Sequence, residues 1–552
     1  MMLAIMFVLF SMPGLMDTII SVGYVSSEVS NLENIILHTD ISLDSLAATS
    51  NMPSFSFNLN NNDLEKLWNY DDFDVLVTYD ADISGTKTRV TESIPFKALD
   101  FGYTILDEVV STTAAATSTG AYLVITDMTS TVNVVGPNSH ILFHTNITFE
   151  SNSGSNASCR IALFIDGFMV TEAEDSSDDN SPDEPGNVGL TWWETGLASG
   201  AHTFDVRWLD QLNDCAIMTN TERSLQVIEF TPGGGIPTIL TEVTSSSGES
   251  YTATYQPVSG MKGSPSIDGP DSLVFTTGTV SFEDDAGSDA SCFLGIFIDG
   301  VLQAEQQTYT DNANEASSNG VMWAETGLSL GAHTFELQAK EGQTGCETDT
   351  AMQRHMQVVD FTSGNPTILA EETSTALQFM TGAYLPITTL FDTVTIDGPG
   401  SVVLFTATVT FDAQTADAEG DAALFIDGLM VAEGRTFIEA GNTQPGHVNL
   451  HWWDTGLSAG SHLFEVMGKE GDPDAETDTQ TQSHMQVVEF SCIKQWNIVS
   501  ITNDVLDPGL LNSEETAKIS VKLCNPIFSN GNVIVSVSTD NGVTATISGI
   551  AT

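Results

Sequence analysis

An aspartate, a second acid and a histidine recur three times in the same order along this chain: Asp166, Glu194 and His202; Asp299, Glu325 and His333; Asp427, Asp454 and His462. Two carboxylates and an imidazole can hold a divalent cation or carry out acid–base chemistry. Calcium is conceivable at such a set but nothing in the spacing supports it, and no cofactor is expected. Local sequence gives each residue a structural role. Each first Asp stands in Phe-Ile-Asp-Gly, the preferred two-residue hairpin turn; each second acid opens an acid-Thr-Gly-Leu turn; each His follows Gly-x and opens an alternating run. Turn chemistry accounts for all three without a ligand, and three equal copies of an active site would be unusual. The reading is non-enzymatic. Gly-x-Ser-x-Gly, P-loop and nucleotide-binding glycine patterns are absent as well. Trp192-Trp193 and Trp452-Trp453 could stack on a sugar, and Trp323 has only Met322 before it. Neighbouring side chains on a strand face opposite ways, so one Trp of each pair belongs in a core and packing is expected over binding.

The elements that hold these residues are repeats, and the repeat is the strongest signal in the sequence. Thr-Ile-Leu opens each copy at 104, 238 and 367, and Leu/Met-Gln-Val-Ile/Val-Glu/Asp-Phe closes each at Phe230, Phe361 and Phe490. The copies therefore run 104–230, 238–361 and 367–490. Runs such as Ile141–Phe149 alternate with period two and are rich in β-branched and aromatic residues. Each copy reads as a β-sandwich, immunoglobulin-like or jelly-roll. The short linkers Thr231–Pro237 and Thr362–Pro366 predict beads set close together in a semi-rigid rod.

Cys159 and Cys292 each lie seven residues before the turn Asp, and Cys215 and Cys346 each lie thirteen after the His. The third copy has Gly420 and Ala475 at those places, so both partners are present in two copies and both absent in one. This predicts Cys159–Cys215 and Cys292–Cys346 disulfides, with Cys492 and Cys524 as a third pair. Disulfides place the domains outside the cytosol. Asn146-Ile-Thr and Asn156-Ala-Ser are glycosylation sequons that agree with that compartment.

The chain has 552 residues with 74 acidic and 15 basic side chains, a net charge of −59, which argues against nucleic acid as a partner. Its 41% hydrophobic content marks folded material with an acid surface. Met1 to Met16 is apolar apart from Ser11, and no Lys or Arg precedes Lys66. Without a basic leader this reads as a retained hydrophobic helix over 1–34, from a processed or truncated N-terminus, that packs in a membrane or an assembly. The flanks 35–100 and 491–552 each hold four strand candidates, and together they make one split domain with the repeats inserted in a loop.

Trp496-Asn-Ile-Val-Ser-Ile-Thr-Asn-Asp-Val-Leu-Asp-Pro-Gly-Leu-Leu-Asn512, Glu515–Leu523 and Thr539–Ala545 resemble the β-domain of archaeal archaellin-like and archaellum-stator-like proteins. Asp17-Thr-Ile-Ile, His38-Thr-Asp-Ile-Ser-Leu, Phe57-Asn-Leu-Asn-Asn and Phe73-Asp-Val-Leu-Val resemble that family's front. The resemblance covers the two ends and none of the repeats. It implies a type IV pilin-like helix and an immunoglobulin-like domain. The expected function is a structural subunit of an extracellular archaeal filament, its partner being itself. A membrane-anchored adhesin or stator that binds envelope protein or surface glycan is the alternative.

Overall fold

The computed structural model describes residues 41–48, 54–61, 73–83, 86–94, most of 102–490, and 495–502, 516–522, 532–539 and 544–550. The expected helix at 1–34, Asn156, Cys492 and Cys524 lie outside the described residues. What is described is strand and connecting turn, with no helix long and apolar enough to cross a membrane. The chain divides into two units, Met1–Asp100 with Ile493–Thr552, and Phe101–Cys492.

The first unit takes strands from both ends of the chain. Ser54–Asn61 pairs on one side with Ile41–Ala48 and on the other with Thr516–Lys522, which in turn pairs with Gln495–Thr502. Phe73–Ile83 likewise lies between Thr86–Ile94 and Asn532–Thr539, and Thr544–Ile550 completes that sheet. Both sheets are antiparallel and four-stranded, and neither is complete without both flanks.

In the second unit each repeat has eight long strands. In the first repeat these are Gly102–Ser111, Leu123–Val134, His140–Ser151, Ala157–Ile165, Phe168–Ser177, Pro185–Thr195, Gly200–Asp210 and Arg223–Thr231. Counted in chain order, one sheet reads 1-8-3-6 and the other 2-7-4-5, and the other two repeats have the same order. That order is the jelly roll. Alternation fills the interior: Phe143, Phe149, Phe204, Trp192 and Trp208 of the first repeat point between its sheets. The structure joins Cys159 to Cys215 and Cys292 to Cys346, each pair tying the fourth strand to the short strand before the eighth.

The repeats do not form a rod. Each 1-8-3-6 sheet is buried on its second face too, against the same faces of the other two. Leu142, Trp193, Ile228 and Phe230 of the first repeat join Phe275, Val359 and Phe361 of the second and Leu404, Trp453 and Phe490 of the third in one apolar cluster. Phe230, Phe361 and Phe490 form its centre, with ring centroids 5.5, 6.0 and 5.1 Å apart pairwise. The short linkers thus turn each bead back on its neighbour. Burial of apolar area outweighs the repulsion of the acidic beads, and carboxylates at the seams such as Asp175 and Glu433 accept hydrogen bonds from the neighbouring repeat.

A repeated clasp fixes the order around this axis. Gln357 of the second repeat accepts from the Trp193 backbone N–H (2.9 Å) and donates to the Trp193 carbonyl (2.8 Å). Gln486 of the third does the same to Ala324 of the second, at 3.0 and 2.9 Å. Gln226 of the first closes the ring on Trp453 of the third, at 2.9 Å both ways. The remaining amide hydrogen of each Gln goes to a Glu of its own first strand, Glu242, Glu371 or Glu108. One, two, three and back to one is a pseudo-threefold ring within a single chain. Farther along the axis the sixth strands approach so closely that a Cβ on Gly320 would lie 3.0 Å from the Gly189 carbonyl oxygen. The equivalent third residue is Asn449, whose side chain fills the space the two glycines leave.

Phe361 is fully buried at the centre of this ring. Phe361→Ala is expected to cost about 3–5 kcal/mol. Because all three repeats share that core, Phe101–Cys492 should still unfold in a single denaturant transition at lower midpoint. Loss of the second repeat alone, with the first and third unchanged, would contradict a shared core.

Candidate functional site

The recurrent Asp and His meet in every repeat, and the second acid stands apart from them. Asp166, Asp299 and Asp427 have φ of 51°, 51° and 52°, and the following Gly167, Gly300 and Gly428 are also left-handed, at 82°, 80° and 77°. Two left-handed residues in succession are the tight turn that Asp-Gly permits at least cost. The turn carboxylate then reaches the seventh strand. Asp166 Oδ2 lies 2.6 Å from His202 Nδ1, and Oδ1 accepts the Thr203 N–H at 2.9 Å. The pairs Asp299–His333 (2.6 Å) and Asp427–His462 (2.7 Å) repeat this, with Thr334 and Leu463 as the N–H donors.

The other imidazole nitrogen is also engaged. Nε2 of His202, His333 and His462 lies 2.8 Å from the carbonyls of Ala198, Ser329 and Ser458. Carbonyl and carboxylate are both acceptors, so both ring nitrogens donate and the ring is held as imidazolium. For His333 the hydrogen bond it donates to Asp299 leads in raising the pKa above the usual histidine value. For His202 and His462 partial burial opposes the charge, but the bonds to Asp166 and Asp427 outweigh it and the pKa is again raised. Asp299 is lowered chiefly by the Thr334 N–H; Asp166 and Asp427 are lowered by the same pair of bonds against slight burial. An imidazolium has no lone pair for a metal and cannot act as a base.

Glu194 and Glu325 belong to a different contact. Each accepts from the indole N–H of a tryptophan two residues earlier, Trp192 at 3.2 Å and Trp323 at 3.3 Å. Burial raises the Glu325 and Asp454 carboxyls. Among the described residues no group of three His, Cys, Asp or Glu is arranged to hold a metal ion. The indole bonds also fix the tryptophan register: Trp323 corresponds to Trp192 and Trp452, and Ala324 to Trp193 and Trp453. Trp192, Trp323 and Trp452 sit in the interior of their own repeats, while Trp193 and Trp453 sit in the shared core, where Ala324 takes the third place. No tryptophan of these pairs is left exposed for a sugar.

Asn146 is corrected as well. It is 3% exposed, its amide donates to the Glu433 carbonyl of the third repeat at 2.8 Å, and its Oδ1 accepts from Asn187 at 3.0 Å. A glycan has no room between packed repeats.

Sequence reading missed what the locked turns present. The residue after each Asp-Gly is apolar and exposed: Phe168 at 77%, Val301 at 60% and Leu429 at 71%. Its signal was the apolar side chain directly after a turn, where a polar one is usual. The site is therefore three rigid hairpin tips, related by the pseudo-threefold ring, each carrying one apolar contact.

No protein-family model and no curated protein matches this chain. Among solved structures, one of PNGF-II is 11% identical, covering 59% of this chain and 84% of its own, with a TM-score of 0.23. The tandem CBM22-1-CBM22-2 domains of Paenibacillus barcinonensis Xyn10C are 10% identical over 49% of this chain and all of theirs, at TM-score 0.15. A structure of the Gt strain of infectious bursal disease virus is 8% identical, covering 80% of this chain and 84% of its own, at TM-score 0.17. At these scores the likeness carries no functional argument.

Since each Asp is depressed and each His raised, the pair stabilises its hairpin across the window between their two folded pKa values. The Asp part is lost as pH falls below the depressed carboxylate value, and the His part as pH rises through the raised imidazole value. Asp299→Ala should lower the stability of the full chain by about 1–2 kcal/mol at pH 6 and by less at pH 9. Denaturant midpoints at the two pH values check this; an equal loss at both would remove the ion pair from the account.

Proposed function

We propose that this chain is a non-catalytic structural subunit of an extracellular assembly, a surface filament of the pilin or archaellin kind, which displays the three-repeat ring. The observation that carries the reading is the shared apolar core between repeats, which joins three domains into one body. The acid surface and the two disulfides suit an extracellular setting. The apolar stretch Met1 to Met16 would supply the contact between subunits, since so apolar a segment needs burial in lipid or against copies of itself. Its partner is then this same chain.

The adhesin reading keeps one supporting observation, the exposed apolar residue on each locked turn. Three equal contacts on one rigid body would bind a multivalent surface far more tightly than a single contact would.

Negative-stain microscopy of the purified full chain should show filaments, and a chain lacking residues 1–34 should give dispersed particles with intact disulfides. Filaments from the truncated chain would move the assembling surface into the β units. Dispersed particles from both would favour the adhesin reading.

A further inference from the structure

Every interface of the pseudo-threefold ring contains a buried histidine. Between the first and second repeats, His355 packs on Trp192 (5.5 Å between centroids), with Nδ1 2.8 Å from the Thr171 hydroxyl. Between the second and third, His484 packs on Trp323 at 5.7 Å, and His447 lies against the backbone of Gln307 and Ser318. Between the third and first, where Ser224 takes the place of His355 and His484, His144 and His451 meet edge to face at 6.3 Å. His144 Nε2 is 2.7 Å from the Gln226 oxygen of the clasp and donates to it, while Nδ1 has no hydrogen-bond partner among the described residues.

Pseudo-symmetry shows that packing does not require these histidines. Paired strand positions equate His355 and His484 with Ser224, His144 with Thr277 and Thr406, His451 with Thr191 and Met322, and His447 with Asn187 and Ser318. Each position accepts a residue that cannot take a proton near neutral pH. Yet each interface holds at least one that can, and in each the imidazole is closed off from water.

We propose that the ring is an acid-operated clasp: protonation of these interfacial histidines parts the three jelly rolls while each stays folded. The groups that face them are neutral or are one another. Thr171, Trp192, Trp323, Gln226 and backbone carbonyls surround His355, His484 and His144, and the titratable neighbours of His451 are His144 and His484. Burial pushes His144, His355, His447 and His484 down to about 4 and His451 to about 3, with the neighbouring histidines adding to the shift of His451. A docked-state pKa below the free value of about 6.5 means that docking is fully stable above that value and weakens as pH falls towards 4.

Carboxyls near the interfaces act in the opposite sense. Burial, with Asp349, Glu347 and Glu174 nearby, raises Glu283 to about 7, and burial, with Asp478 and Glu476 nearby, raises Asp412 to about 6. Both gain protons in the docked state and favour it as pH falls. Glu108, Glu174 and Glu325, each raised by burial with an acid of the adjoining repeat nearby, act the same way, and the clasp opens in acid only as the five histidines outweigh these carboxyls. Within each repeat the Asp–His turn locks remain formed over the same range, and the first two repeats keep their disulfides.

The test is reversible acidification of the full chain from pH 7.5 to 4, with acrylamide quenching of tryptophan emission and far-ultraviolet dichroism read together. Parting exposes Trp193 and Trp453 of the shared core and leaves Trp192, Trp208, Trp323 and Trp452 inside their own repeats. Quenching should rise with a midpoint between about pH 6.5 and 4 while the strand signal holds. The variant His144→Thr, His355→Ser, His447→Ser, His451→Thr, His484→Ser takes its residues from the other repeats and should move the midpoint down by about one pH unit or more. Should that variant fail to fold, His451→Thr and His484→Ser made singly should each move the midpoint down by part of that shift. Flat quenching to pH 4, loss of strand signal along with it, or an unmoved midpoint in the variants would overturn the proposal.

Discussion

A sheet buried on both faces is the constraint from which the rest of the second unit follows. A jelly roll normally buries the inner faces of its two sheets and leaves the outer ones to water. Here the outer face of each 1-8-3-6 sheet is apolar at one end, through residues such as Phe230, Ile228, Leu142 and Trp193, and it needs a cover. Three equal faces cover one another when they close around an axis, which leaves no such face over. A row of beads in a rod would leave one at either end.

Closure needs direction as well as apolarity, because greasy faces can slide. The glutamine of each eighth strand supplies it by pairing both polar atoms of its amide with the N–H and C=O of one residue of the preceding repeat around the ring. A side-chain amide has the same donor and acceptor spacing as a strand backbone, so the match is geometric and cannot shift by one residue without losing both bonds. The axis is then graded, from phenylalanines at one end through glutamines to histidine, threonine and serine, and on to the close approach of Gly189 and Gly320 beside Asn449.

Much of this was legible one repeat at a time. Asp-Gly after Phe-Ile gave the left-handed turns, because few other pairs tolerate two positive φ values in succession. The joint presence and joint absence of the cysteines matched the two bonds that the structure holds. What escaped was the relation between repeats. Val402-Val-Leu-Phe and Gln486-Val-Val-Glu-Phe490 are apolar without a clean alternation, as expected of strands buried on two sides, and that pattern pointed against a rod. Met322-Trp323, where the other copies read Trp-Trp, conceals that Ala324 holds the shared-core place of Trp193 and Trp453, opposite Phe275 where those two face Leu142 and Leu404. The Asp–His meeting was not readable either, since strand order decides which two turns lie side by side.

Joining three jelly rolls in one chain also frees them from identity. Three separate copies around an axis would have to be alike at every axial position, and three glycines there would leave a void, while three asparagines would clash where Gly189 and Gly320 approach. In a single chain one asparagine can serve two glycines, donating to Gln306 while accepting from Thr408. The same freedom lets His144 face His451 at one interface while Ser224 replaces the histidine that the other two use. It also lets the third repeat lack a disulfide. Phe411 lies where a side chain on Gly420 would point. Near-symmetry supplies the shared core, and the departures from it adjust each interface separately, which a ring of identical subunits could not do.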